Sequence, residues 1–87
     1  MTPDEALRQA RSVPLHALII TPHAATQMRA RRVRAPDICR ALWTAKVAVP
    51  QEVPTKWRFE GGVDAEGDDL IVVAAFEDRV VIVSVFA

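Results

Sequence analysis

A single cysteine among 87 residues, Cys39, rules out an internal disulfide and fits a reducing compartment. It falls inside a stretch with helical periodicity and reads as a small, half-buried apolar residue rather than a nucleophile. Only three glycines are present, and none builds a Gly-rich loop for nucleotide phosphates or a Gly-x-Ser-x-Gly elbow. Cysteine and histidine are too few, and too far apart, for a zinc site. Long hydrophobic runs are also missing. Leu15 to Ile20 is interrupted by His16 and far too short to cross a bilayer, while Met1 to Ser12 is too charged for a targeting segment. The expectation is therefore a cytoplasmic protein that avoids the membrane and uses no metal or cofactor.

Net charge is the last thing lacking, because 11 Lys and Arg balance 11 Asp and Glu. The balance hides a division. Through Arg58, ten cations stand against four carboxylates; from Phe59 onward, Arg79 is the one cation against seven. A local anion-binding surface is compatible with this layout, as is mutual neutralisation of the two halves in the fold. Hydrophobic residues make up 51%, enough for one core in a single domain over residues 1–87.

Thr2, Pro3, Asp4 and Glu5 carry the signals of a helix start, and Pro14 stops that helix. With only Ala6, Leu7 and Ala10 as an apolar stripe, residues 1–14 are expected to be a weakly docked helical extension. Ala17 to Ile20 reads either as a short extended segment or as the lead-in to the next helix. Thr21 and Pro22 open that helix, in which His23, Gln27 and Arg31 fall at i, i+4 and i+8, within about 80° of one another. Arg29 and Arg32 are expected to point away, to water. Arg34-Ala35-Pro36-Asp37 restarts a helix whose Ile38, Ala41, Leu42 and Ala45 follow the spacing of one buried face, with Trp43 off that stripe.

From Val47 the period becomes two. Val47 to Val49 is a short strand, and Lys56-Trp57-Arg58-Phe59-Glu60 alternates, with the two aromatics on one side and the charges on the other. Leu70–Phe76 and Val80–Phe86 read as buried strands around the tight Glu77-Asp78 connection. This predicts an α+β fold, its N-terminal helices packed on one face of a twisted antiparallel sheet of three to four strands.

His23 is a candidate acid or base, because imidazole titrates near neutrality; His16 has no constellation around it. Arg31, with Arg29, Arg32, Arg34 and Arg40 near it, suits phosphate, and Lys56 with Arg58 offers two cations on an exposed strand face. Asp64 to Asp69 lacks the ligand spacing of a calcium loop and reads as a solvated hairpin turn. Ser84 is the lone hydroxyl of an apolar strand. It is expected on the face of Val80, Ile82 and Phe86, bonded locally or opening onto a site.

The run Thr21-Pro22-His23-Ala24, Gln27-Met28, Arg31 and Val33, followed by Pro36-Asp37-Ile38, resembles an uncharacterised bacterial domain family, a domain of unknown function. The usual pattern there is His-Ala-x-x-Arg-Met-x-x-Arg-Gly-Ile. Trp57-Arg58-Phe59-Glu60-Gly61 matches its aromatic-Arg-aliphatic-x-Gly strand, and Ile82-Val83-Ser84-Val85-Phe86 its closing strand. The match runs from Thr21 to Phe86; Gln27 stands where the family usually has Arg, and Arg32 where it has Gly. The family is similar to RelE-like and BrnT-like toxins, of the barnase, colicin and RelE ribonuclease fold.

The resemblance implies a RelE/BrnT-like core over residues 15–87 and a metal-independent endoribonuclease in which a ribose 2′-OH attacks the adjacent phosphate. Carried over by position, His23 is the acid or base, Arg31 and Arg58 are the phosphate-stabilising cations and Ser84 is a hydroxyl donor; the expected catalytic set is His23, Arg58 and Ser84, with Arg31, Gln27 and the strand cation Lys56 binding substrate. The implied partners are RNA and a cognate antitoxin. The alternative is a catalytically degenerate binding or regulatory domain on the same scaffold that holds a protein partner. Self-association and origin as a piece of a secreted toxin are both compatible with the sequence.

Overall fold

The computed structural model describes residues Met1–Ala87. Helix α1 (Pro3–Ala10) is fixed at its start by a reciprocal cap. The Glu5 N–H donates to Thr2 Oγ1 at 3.2 Å, and the Thr2 N–H donates to Glu5 Oε1 at 2.8 Å. Far from docking weakly, α1 belongs to the core: Ala6 and Ala10 are fully buried and Val13 nearly so. Small side chains let the helix lie close over the sheet, so two alanines hold it where a thin stripe seemed insufficient.

After a 3-10 turn at Leu15–Ala17, strand β1 (Leu18–Ile20) runs directly into helix α2 (Pro22–Arg31). Thr21 joins them. Its Oγ1 accepts the Ala24 N–H at 3.2 Å as the helix cap, while its hydroxyl donates to the Ile82 carbonyl at 2.9 Å. Arg32 ends α2 in the left-handed region, φ 58° and ψ 38°, and the Val33 N–H closes back on the Met28 carbonyl at 2.9 Å. Glycine would take that conformation freely; an L-residue pays about 1 kcal/mol for it. Helix α3 (Ala35–Thr44) follows, with Asp37 Oδ2 accepting the Arg34 N–H at 2.9 Å. Its expected face is the buried one: Ile38, Ala41, Leu42 and Ala45 are all 2% exposed or less. Trp43 instead lies at the surface and donates its indole N–H to the Val13 carbonyl at 2.8 Å, tying α3 to the end of the first segment.

Strands β2 (Val47–Pro50), β3 (Lys56–Glu60), β4 (Ile71–Phe76) and β5 (Val80–Phe86) form an antiparallel meander. β1 adds a fifth strand beside β5, giving the order β1-β5-β4-β3-β2. β1 is parallel to β5, with Leu18 opposite Val80 and Ile20 opposite Ile82. The expected sheet of three to four antiparallel strands is thus a mixed sheet of five. A three-residue strand contributes almost no period-two signal, and parallel pairing links residues more than sixty positions apart.

One sheet face carries Trp57, Phe59, Val72, Ala74, Ile82 and Val85 and packs against α1 and α3. The other face is free of helices across β3 and β4 and carries Lys56, Arg58, Glu60, Val73 and Ala75. In β5, Val73 pairs with Ser84 but Ala74 pairs with Ile82, so Val83 is a bulge. The extra residue reverses the alternation. Ser84 therefore shares the open face with Phe86, opposite Val80 and Ile82, contrary to the strict alternation expected of this strand.

Candidate functional site on the open sheet face

Cross-strand register lines up a row of side chains over the open face. Val49 pairs with Arg58, Arg58 with Val73, and Val73 with Ser84. Adjacent strands lie about 4.8 Å apart, which puts the Arg58 and Ser84 backbones on the order of 10 Å from each other. The bulge at Val83 is what brings Ser84 to this face. A perfectly regular β5 would have turned the hydroxyl into the core.

Gln27 completes the row from the side. β1 stops at Ile20, so β5 beyond Ile82 has no neighbouring strand on that edge. Helix α2 takes the place of one. The Thr21 N–H and hydroxyl both donate to the Ile82 carbonyl, and Gln27 Oε1 accepts the Val85 N–H at 2.8 Å and the Ser84 hydroxyl at 3.0 Å. His23 and Arg31 are one helical turn to either side of Gln27, both exposed, and neither side chain makes a hydrogen bond within the chain.

The two sheet cations each have a carboxylate. Arg58 Nε lies 2.6 Å from Glu60 Oε2 on the same strand face, and Lys56 Nζ lies 2.6 Å from Glu52 Oε1. Hydrogen bonding to Lys56 holds the Glu52 carboxyl below its ordinary value. Glu60 is the functional candidate that the sequence alone did not single out, although it stands two residues from Arg58 on an alternating strand. A carboxylate beside a guanidinium can accept a proton next to a bound phosphate. No Asp, Glu, Lys, Arg or His is buried, and the Trp57 indole N–H is buried without a hydrogen-bond partner.

The remaining candidates separate from this face. Cys39 is 1% exposed, and burial pushes its thiol above the ordinary 9.0. His16 contributes its backbone carbonyl, which accepts from Arg79 Nη2 at 2.5 Å, and not its ring. Asp64 Oδ1 accepts the Glu66 and Asp68 N–H groups at 2.9 and 3.0 Å and so shapes its own turn. No three His, Cys, Asp or Glu side chains converge on a point that could hold a metal ion, and no helix is long and apolar enough to cross a membrane.

The arginines divide as their spacing predicts. Arg31 stays on the Gln27 side of α2. Arg29 and Arg32 point away and are exposed, and with Ala25 and Met28 they line one wall of a groove in the elbow between α2 and α3, where Arg34 joins them. The left-handed turn at Arg32 redirects the chain toward Arg34.

The chain matches no family model, no curated protein and no solved structure.

Proposed function

We propose that the protein is a small RelE/BrnT-like endoribonuclease of the toxin type, acting on RNA across its open sheet face without metal and held by a cognate antitoxin. The observation that carries this reading is the row Arg58, Val73, Ser84, Gln27, flanked on α2 by His23 and Arg31. The register joins Arg58, Val73 and Ser84, the Gln27 bond joins α2 to them, and His23 and Arg31 lie one turn to either side on that helix. A phosphodiester laid along that strip would meet Arg58 and Arg31 as cations and Ser84 as a hydroxyl donor.

In the chemistry this supports, phosphate replaces Glu60 as the partner of Arg58. The freed Glu60 carboxylate takes the proton from the ribose 2′-OH as the 2′-O–P bond forms. Negative charge on the phosphorane is met by guanidinium, and protonated His23 donates to the departing 5′-oxygen as the P–O5′ bond breaks. The products are a 2′,3′-cyclic phosphate and a 5′-hydroxyl, so no metal or oxidant is required.

A second reading has its own support. Ser84 and Val85 already donate to Gln27, and Arg58 already pairs with Glu60, so the row is satisfied without ligand. This favours a catalytically degenerate domain that holds a protein partner. Purified protein incubated with RNA, with and without ribosomes, separates the two. Cleavage abolished by His23→Ala and by Arg58→Ala in folded variants supports the nuclease; RNA left intact by the wild type under every condition leaves the binding domain.

A further inference from the structure

A groove of about 900 Å³ lies in the elbow between α2 and α3, where the β3–β4 loop comes against them. Ile20, Met28, Val33 and Pro36 make its apolar lining. Arg29, Arg32 and Arg34 stand around it, and none has a carboxylate within 4.0 Å, because the chain's ion pairs are Lys56–Glu52 and Arg58–Glu60. Arg29 makes one side-chain hydrogen bond, to Thr26 Oγ1 at 3.3 Å, and the guanidinium groups of Arg32 and Arg34 make none. Asp37, which also lines the groove, accepts the N–H groups of Arg34 and Ala65. Glu66 lines the groove as well.

A second observation points to the same place. Arg32 holds the left-handed conformation at the end of α2, with φ 58°, the one non-glycine residue in the chain with positive φ. A glycine would relieve that strain and would also remove a cation from the groove. The conformation ends α2, so the arginine side chain there, and not a conformational need, is what distinguishes the position.

We propose that this groove receives a segment of a partner protein that sets carboxylates against Arg32 and Arg34 and aliphatic side chains against Met28 and Val33. Three unneutralised guanidinium groups select carboxylates, and the apolar lining gains from burying side chains, which an inorganic anion lacks. RNA fits poorly. No aromatic lines the groove on which a base could stack, and a sugar-phosphate backbone would leave Ile20, Met28 and Val33 uncovered. The inference rests on the partner-binding element shared by both functional readings and is independent of RNA cleavage.

The test is selection of a phage-displayed library of random dodecapeptides on the full chain. Enriched clones are expected to combine Asp or Glu with Leu, Ile or Val and to bind the Arg32→Gly/Arg34→Glu variant at least about tenfold more weakly. On isotope-labelled protein they are expected to shift the Met28 methyl and Val33 signals. Glycine suits the backbone at position 32, so the variant keeps its fold, which circular dichroism verifies; Arg32→Gly alone gives a partial loss. No enrichment over a carrier protein, or clones that bind wild type and variant equally, overturns the proposal. So does a labelled octauridine that binds wild type and is lost from the variant, which would assign the groove to nucleic acid. RNA cleavage by the same variant is read separately and reports on the sheet face alone.

Discussion

Ser84 donates its hydroxyl to the Gln27 side-chain oxygen at 3.0 Å, across 57 positions of sequence and between a strand and a helix. The same oxygen takes the Val85 N–H at 2.8 Å, a group that an adjacent strand would otherwise satisfy. Gln27→Leu leaves that half-buried donor unpaired. It is expected to cost about 1–3 kcal/mol, seen as a lower urea midpoint at unchanged m-value. Ser84→Ala removes one donor from an acceptor that keeps another, and its cost is expected to stay below about 1 kcal/mol. Equal stability of Gln27→Leu and wild type would show that the clasp does not hold α2 to β5.

Gly62 is where β3 leads away beneath α3, and a β-carbon there would lie 2.1 Å from the Ala41 carbonyl oxygen. Helix α3 would have to lift from the sheet. Gly62→Ala is expected to destabilise by about 3 kcal/mol or more. Gly67→Ala is the control: its φ is positive, at 87°, but its β-carbon meets nothing within 4 Å, and about 1 kcal/mol is expected. Thermal melts of the two variants rank them.

The buried Cys39 thiol titrates above its ordinary 9.0, because burial penalises the thiolate. Its folded pKa is raised, so in the unfolded chain it ionises first. Stability is whole below that value and declines as pH rises through it. Alkylation by iodoacetamide at neutral pH is expected to proceed at the rate of opening and to speed up with denaturant. Fast labelling of the native protein would contradict the burial.

Arg58 and Glu60 are each about one-third exposed, at 37% and 35%, so solvent screens their pair to about 0–1 kcal/mol. Glu60→Gln and Arg58→Ala are therefore expected to leave the melting temperature nearly unchanged. If the sheet face cleaves RNA, each substitution should lower the cleavage rate by about 100-fold or more. Cleavage that survives both removes the pair from the chemistry.

The cap of α1 carries a pH dependence of its own. Hydrogen bonding from the Thr2 backbone and hydroxyl lowers the Glu5 carboxyl from its ordinary 4.5. The contribution is present above that value and is lost as pH falls through the lowered folded one. Glu5→Gln is expected to flatten the acid limb of a stability-against-pH curve. An unchanged limb would mean that the cap is open in solution.

Local patterns made much of this protein readable in one dimension. Ile38, Ala41, Leu42 and Ala45 mark the buried face of α3, and Trp57 and Phe59 mark the core side of β3, because side-chain direction within a regular element follows from its period alone. Thr21 with Pro22 and Thr2 with Glu5 mark helix starts for the same reason: a cap is formed by residues three apart.

Sequence also picked out Arg58, Ser84 and Gln27, but not how they relate. That depended on Val83, whose bulge turns Ser84 to the open face, and on β1 ending at Ile20, which leaves the edge of β5 for Gln27 to fill. It depended as well on the left-handed turn at Arg32, which brings Arg34 to the groove that Arg29 and Arg32 line, and on two buried alanines that seat α1. Each is a long-range or irregular event. Its free energy comes from partners dozens of residues away, and periodicity carries no record of them.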